Sequence, residues 1–151
     1  MIQKDALIPI KTLPDMQNFA AEIETVKESL FEEKRRDQIF QSISAKNADI
    51  IREILKKEHI DCKNNKQAQD ALNELIAKIK SLKIVKLYLA FSPSQNLTDD
   101  IFNWVSDKLG KGIILDIEEE PTILGGAIVE YNGKHIDYSL KKQIEEAYED
   151  F

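Results

Sequence analysis

Apolar side chains recur at intervals of three and four residues near the start of the chain, the spacing that places them on one face of a helix. We predict a helix from Asp15, a residue type that caps helix amino termini, to about residue 30. Its apolar stripe consists of Phe19, Ile23, Val26 and Leu30. Such a stripe either fills the protein's own core or binds a partner helix, and the pattern alone leaves both interpretations open.

A charged run over residues 32–37 interrupts this stripe, and the apolar positions resume between Ile39 and Leu55. Opposite charges four residues apart are typical of a solvated helix face, so the helix either crosses solvent here or breaks. Polar residues over 59–65 predict a connection between helices, with an asparagine available as the next cap. We place a domain boundary there, between a helical region, 1–62, and a second domain, 63–151.

The pattern changes after residue 83, because β-branched and aromatic residues replace the helical spacing. Gly-containing turns then separate short apolar runs. The predicted order is helix 67–82, strand 84–91, helix 98–109 capped by Thr98, strands 113–117, 127–131 and 134–137, and helix 140–148. The fold class is therefore α+β, with a helical amino-terminal half followed by a small mixed sheet that carries a β-hairpin and packed helices.

Several residues are predicted to shape the backbone around this hairpin. An Asn-Gly pair favours a type I′ turn because both central residues need positive φ, a glycine pair allows a sharp entry into the hairpin, and Asp and Ser favour capping of the last helix. These residues are Gly125, Gly126, Asn132, Gly133, Asp137 and Ser139. The last helix carries the stripe Leu140, Ile144 and Tyr148, which again either fills the core or binds a partner.

Composition narrows the class of partner. The 151 residues carry a formal net charge of −6, with 32% charged residues, so the summed field repels phosphate backbones and anionic membrane surfaces. We therefore expect no nucleic-acid partner. No apolar run approaches the roughly 20 residues that span a bilayer, which predicts a soluble protein that reaches a membrane only through a complex.

The same residues give little support for catalysis. One cysteine and two histidines do not make a metal-ligand cluster. The acidic run 118–120 ends a strand, where neighbours point to opposite faces, and His135, Asp137 and Ser139 follow one another too closely to be assumed a triad. Gly125 and Gly126 lack the lysine and spacing of a phosphate-binding loop. We predict no catalytic, cofactor or metal site.

Taken together, residues 113–139 resemble the carboxy-terminal signature of the delta (oligomycin-sensitivity-conferring, OSCP) subunit family of F-type ATP synthase. The resemblance rests on an apolar strand, the run PTILGG over 121–126, an alternating strand, the turn NGK over 132–134 and the run IDYSL over 136–140. An apolar strand, a proline and a helix precede the signature, as in the family. Glu119 and Tyr138 depart from the family's usual residues.

The resemblance implies a non-catalytic peripheral-stalk subunit of a proton-translocating ATP synthase, part of its F1 sector, with the alpha and b subunits as partners and no cofactor. It implies a peripheral position on the cytoplasmic face of the cell inner membrane. In the family a six-helix amino-terminal bundle holds the alpha subunits and the carboxy-terminal domain meets b. About 60 residues are too few for six ordinary helices, so this region is expected to be a reduced bundle or a long arm.

Three other interpretations remain open. The E subunit of archaeal and vacuolar ATPases is similar in having a long amino-terminal helix followed by a small α/β domain with a glycine pair. A protein-interaction adaptor outside the ATPases would use the same amphipathic helices. A small enzyme would require a site built on Asp137 or the acidic run.

Overall fold

The computed structural model describes residues 10–30, 38, 40–60 and 64–149. Two compact units make up the chain, and each is described by itself. The helical unit contains Ile10 and Asp15–Leu82, and the sheet unit contains Lys11–Pro14 and the residues from Lys83 onward. The division falls after Leu82, whereas the sequence placed it after residue 62. The third helix therefore belongs with the first two.

The helical unit contains three described helices, α1 (Leu13–Ser29, from its third residue onward), α2 (Ala45–Lys57) and α3 (Asn65–Lys80). Each buries one apolar face, as the spacing of its residues predicts. On α3 this face includes Leu72, Leu75 and Ile79, each at most 1% exposed, and α3 belongs to the same unit as α1 and α2.

The stripe of the first helix fills the protein's own core. Phe19, Ile23, Val26 and Leu30 are each no more than 3% exposed. Of the two interpretations of this stripe, the structure therefore selects the internal one. All four candidate partner-binding residues are thus buried in the isolated chain, where they leave little surface for another protein to contact.

The helix ends differ in detail from those predicted. α1 begins at Leu13 and not at Asp15, since Pro14 fits a first helical turn that does not use its missing N–H. α1 ends at Ser29 and a separate helix, α2, begins at Ala45. The Ser44 hydroxyl caps α2 by accepting from the Asn47 amide at 3.4 Å. Asn64 caps α3 as expected. The charged run 32–37, Ile39 and the connection around Cys62 lie outside the described residues.

The sheet unit contains four strands and two helices in its described part. They are β1 (Lys83–Leu89), α4 (Gln95–Leu109), β2 (Ile113–Glu119), β3 (Ala127–Tyr131), β4 (Lys134–Asp137) and α5 (Leu140–Glu149). The strand order is β2-β1-β3-β4, with β1 and β2 parallel and the other neighbours antiparallel. This mixed sheet after a helical half confirms the predicted α+β class and its hairpin.

One face of the sheet is packed and supplies the core. β1 alternates, so Val85 and Leu87 are buried against Leu115 of β2 and Val105 of α4. Ile84, on the other face, is 45% exposed. β1 is thus buried on one side only, because α4 covers a single face.

The amino-terminal cap of α4 also corrects the sequence. Ser94 caps the helix, with its hydroxyl accepting from the Leu97 amide at 3.3 Å, and α4 therefore starts at Gln95. Thr98, the predicted cap, lies in the first turn, where it is 7% exposed and its hydroxyl donates to the Ser94 carbonyl at 3.0 Å. Both residues are good caps by type, and the chain uses the earlier one.

Candidate partner-binding site

The last helix exposes its apolar stripe. None of the residues of α5 is buried, and Leu140, Ile144 and Tyr148 are 44%, 39% and 77% exposed. These three residues lie four apart, which places them on one side of the helix. The apolar stripe of α5 is therefore exposed at the surface, whereas the apolar stripe of α1 is buried. That a partner covers it stays a prediction.

The start of α5 is fixed by a short capping arrangement. The Ser139 hydroxyl accepts from the Lys142 amide at 3.1 Å, which satisfies one of the free donors of the first turn. The Ser139 amide donates to Asp137 Oδ1 at 2.7 Å. Hydrogen bonding from the Ser139 side chain, and then from its amide, holds the pKa of Asp137 below its usual value. Ser139 itself is only 1% exposed.

The glycine pair forms the other half of this junction. The Leu140 amide donates to the Gly125 carbonyl at 2.9 Å, and the Tyr138 amide donates to the Ala127 carbonyl at 2.9 Å. Gly126 has a φ of +73°, and a Cβ placed on it would collide with the Tyr138 carbonyl oxygen. Gly126 is thus needed for both its backbone conformation and the close approach of the segment that leads into α5.

Gly125 is different from its neighbour. A Cβ on Gly125 would lie 3.7 Å from the Leu140 Cβ, an ordinary van der Waals contact. Its role is carried by its carbonyl, which receives the first amide of α5. The two glycines and the two capping residues therefore meet at one place and orient the exposed stripe.

At the far end of the hairpin, Asn132 and Gly133 have φ values of 50° and 73°. Both central residues are in the left-handed region, as a type I′ turn requires. A Cβ on Gly133 would meet nothing within 4 Å, so its backbone conformation is what favours glycine there. These two residues shape the hairpin and not the surface around α5.

Sequence reasoning missed Leu124. This residue is 61% exposed and has a φ of 65°, and it lies between the short 3-10 turn Pro121–Ile123 and the glycine pair. The 3-10 turn contacts α5. An apolar residue beside a glycine pair is unremarkable in the sequence, and neither its exposure nor its backbone conformation can be deduced from residue type.

The open face of the sheet carries polar pairs that are structural in character. Lys86 lies 3.4 Å from Glu118, whose hydrogen bond and charge raise the pKa of the lysine. The Tyr88 hydroxyl donates to Glu130 at 3.5 Å, and partial burial, followed by the charge of Glu130, raises the pKa of Tyr88. His135 Nδ1 lies 3.0 Å from Glu130.

The contact between His135 and Glu130 helps to decide whether His135, Asp137 and Ser139 can act as a catalytic triad. His135 interacts with Glu130, while Asp137 accepts the amide of Ser139 and the Ser139 hydroxyl caps α5. A nucleophile needs its hydroxyl against the histidine, and these contacts give the three residues separate tasks instead.

Within residues 10–30, 38, 40–60 and 64–149, no group of three or more His, Cys, Asp or Glu side chains is placed to hold a metal ion. In the same part of the chain, no helix has both the length and the apolar character needed to cross a membrane.

Comparison with known proteins agrees with the signature read from the sequence. The family model described as ATP synthase delta (OSCP) subunit matches residues 14–151. The ATP synthase subunit delta of Aquifex aeolicus (strain VF5) is 30% identical over 74 residues, which are 49% of this chain and 39% of that protein. The match thus covers well under half of the curated relative's length.

Among solved structures, a chain from the Toxoplasma gondii mitochondrial ATP synthase hexamer is similar over 89% of this chain and 86% of its own length. The sequence identity is 10% and the TM-score is 0.38. A likeness at this level carries no argument about either fold or function.

Proposed function

Because the chain belongs to the ATP synthase delta (OSCP) subunit family, we propose that it is a peripheral-stalk subunit of a proton-translocating F-type ATP synthase. In this role it links the catalytic head, through the alpha subunits, to the stator b subunits. The family match is to delta and so argues against the E subunit of archaeal and vacuolar ATPases. The proposed subunit acts in ATP synthesis without making or breaking bonds.

The observation that carries the proposal to a particular surface is the exposed stripe of α5. The ten-residue helix α5 buries none of its side chains and so contributes little to the core of the sheet unit. It nevertheless presents Leu140, Ile144 and Tyr148 on one side. Five of its other seven residues are charged, two lysines and three glutamates. An apolar stripe with charged flanks is the usual recognition surface for another amphipathic helix. We assign it to the b subunit.

The mechanical task follows from this assignment. A stator must keep the head from turning with the rotor, so the link has to resist torque at both of its ends. The rigid capping of α5 by Ser139 and the tie between Leu140 and Gly125 hold the proposed b-binding helix in one orientation. For the head we propose the helical unit, through surfaces other than the buried stripe of α1. The complex would hold the chain peripherally at the cytoplasmic face of the inner membrane.

The test is an affinity pull-down from native membranes, with the co-purifying proteins identified by mass spectrometry. Wild-type chain is compared with Ile144→Ser, which interrupts the stripe, and with Glu146→Gln. Glu146 lies two residues further along the helix, about 200° around it, and its exposed ion pair with Lys142 contributes little. Loss of a central apolar contact is worth at least about 1.4 kcal/mol, or tenfold in affinity.

We expect wild type and Glu146→Gln to recover alpha, beta and b subunits, and Ile144→Ser to lose b. Recovery of an archaeal- or vacuolar-type head would contradict membership of an F-type enzyme. Recovery of other proteins with no ATPase subunit would favour an adaptor outside the ATPases. Equal recovery of b by Ile144→Ser would remove the stripe from the interface.

A further inference from the structure

Leu124 has a backbone conformation that its side chain does not explain. Within the described residues, three other than glycine have positive φ, and these are His59 at 54°, Asn132 at 50° and Leu124 at 65°. Asparagine and histidine are enriched in the left-handed region, and Asn132 stands in a turn that requires it. A bulky aliphatic side chain is disfavoured there, because Cβ approaches the following carbonyl oxygen.

The fold itself does not need a leucine at this position. The Leu124 amide donates to the Pro121 carbonyl at 3.1 Å, a bond that any residue with an amide hydrogen could make. The packing beneath the turn is supplied by Ile123, which is 3% exposed, while Leu124 is 61% exposed. Glycine would adopt the same backbone conformation without strain. Folding of this chain therefore gives no reason for a leucine side chain at position 124, and a contact with another molecule would give one.

The position of Leu124 suggests what that use is. It directly precedes Gly125, whose carbonyl accepts the amide of Leu140 and whose Cα faces the Leu140 side chain. Leu140 begins the exposed stripe that continues through Ile144 to Tyr148. Leu124 is thus held beside the amino-terminal end of this stripe, at the end opposite Tyr148.

We infer that Leu124 is a specificity-determining contact for the partner helix, and that the turn around it is kept strained to present its side chain. The inference rests on the proposed function, since the occupant is the amphipathic helix of the b subunit that lies along α5. Leu124 extends the apolar stripe beyond the end of α5, so the partner helix must continue past Leu140 with a further apolar residue. Strain retained at an exposed residue is explained when a binding partner uses that residue.

The experiment measures two quantities on the full-length chain, affinity for a membrane-free form of the b subunit by calorimetry and melting temperature by circular dichroism. The variants are Leu124→Gly, which removes both side chain and strain, and Leu124→Ala, which removes the contact but keeps a Cβ. Leu109→Ala is the matched control, because Leu109 is another exposed leucine of the sheet unit, at the end of α4, and is 38% exposed.

We expect Leu124→Gly to bind b about tenfold more weakly, as truncated interface anchors do. Its melting temperature should stay the same or rise by about 2 °C, because relief of strain offsets the flexibility that glycine adds to the unfolded chain. Leu124→Ala should bind as weakly without any rise. Leu109→Ala should bind as wild type does.

Loss of affinity for b without loss of stability is what separates this role from a structural one. A structural leucine would lower the melting temperature when removed, and that result in Leu124→Gly would overturn the inference, as would unchanged affinity. If wild type binds b and Ile144→Ser does not, unchanged affinity in Leu124→Gly removes only the inference. If wild type itself fails to bind b, the proposed function fails and the inference with it.

Discussion

Replacement of Gly126 by alanine should loosen the attachment of α5, and replacement of the adjacent Gly125 should not. At Gly126 the φ of +73° strains any L-residue, and the added Cβ meets the backbone carbonyl of Tyr138. A backbone oxygen cannot rotate away as a side chain can. The chain must therefore shift, and the shift acts on the hydrogen bonds that Tyr138 and Leu140 make to the strand β3 and the glycine pair.

The size of the effect follows from these contacts. The left-handed conformation costs alanine about 1–2 kcal/mol. Weakening of the two backbone hydrogen bonds adds roughly 1 kcal/mol for each. The smaller entropy of the unfolded chain returns about 0.4–1 kcal/mol. The free energy of unfolding of the sheet unit should thus fall by about 2–4 kcal/mol in Gly126→Ala. In Gly125→Ala it should change by no more than about 1 kcal/mol, because the Cβ added at Gly125 makes only ordinary van der Waals contacts.

Urea unfolding followed by tryptophan fluorescence measures this directly. Trp104 is the chain's single tryptophan and lies on α4, so its signal reports the sheet unit and not the helical unit. A shift of the midpoint at constant slope would give the change in stability. Equal destabilisation by the two alanine variants, or none by Gly126→Ala, would refute the account of the junction.

Three further expectations concern the caps and the helical unit. Ser139→Ala should lower stability of the sheet unit by about 1 kcal/mol through loss of the α5 cap, and Ser139→Asp should recover most of it in the same fluorescence assay. The lowered pKa of Asp137 means that its ionised carboxylate stabilises the folded state. This stabilisation is present above the ordinary aspartate pKa, near 4, and is lost as pH falls through the pKa of the folded state. Asp137→Asn should therefore reduce the fall in the free energy of unfolding that urea titrations measure between neutral pH and about pH 2.5. The Glu22 carboxylate accepts from the amide and hydroxyl of Ser44 at 3.2 and 3.0 Å. Glu22→Ala should therefore lower the free energy of unfolding of the helical unit, followed by circular dichroism, by about 1–2 kcal/mol. The control Glu24→Ala loses only the exposed ion pair with Lys27 and should change it by under about 0.5 kcal/mol.

Much of the local structure was predicted from the sequence because periodicity and turn chemistry act over a few residues. β3, β4 and the turn between them have the predicted bounds, since Asn132 and Gly133 are the residue types that positive φ requires. The resemblance of residues 113–139 to the delta family also depended on sequence alone, and the family match over residues 14–151 confirms it.

Caps were less predictable where two good candidates competed. Thr98 and Ser94 both suit a helix amino terminus, and only the backbone of the turn after β1 decides that Ser94 is used. The same holds at the start of α1, where Pro14 is compatible with either a loop or a first helical turn.

What each amphipathic stripe contacts was decided by tertiary structure. The stripes of α1 and α5 both have helical spacing in the sequence, yet Ile23 is fully buried and Ile144 is 39% exposed. Periodicity states that one side of a helix is apolar, but the burial of that side depends on whether another element of the chain reaches it. The exposed position and left-handed backbone of Leu124 are likewise properties of the folded chain, at the end of the 3-10 turn Pro121–Ile123, and its residue type does not predict them.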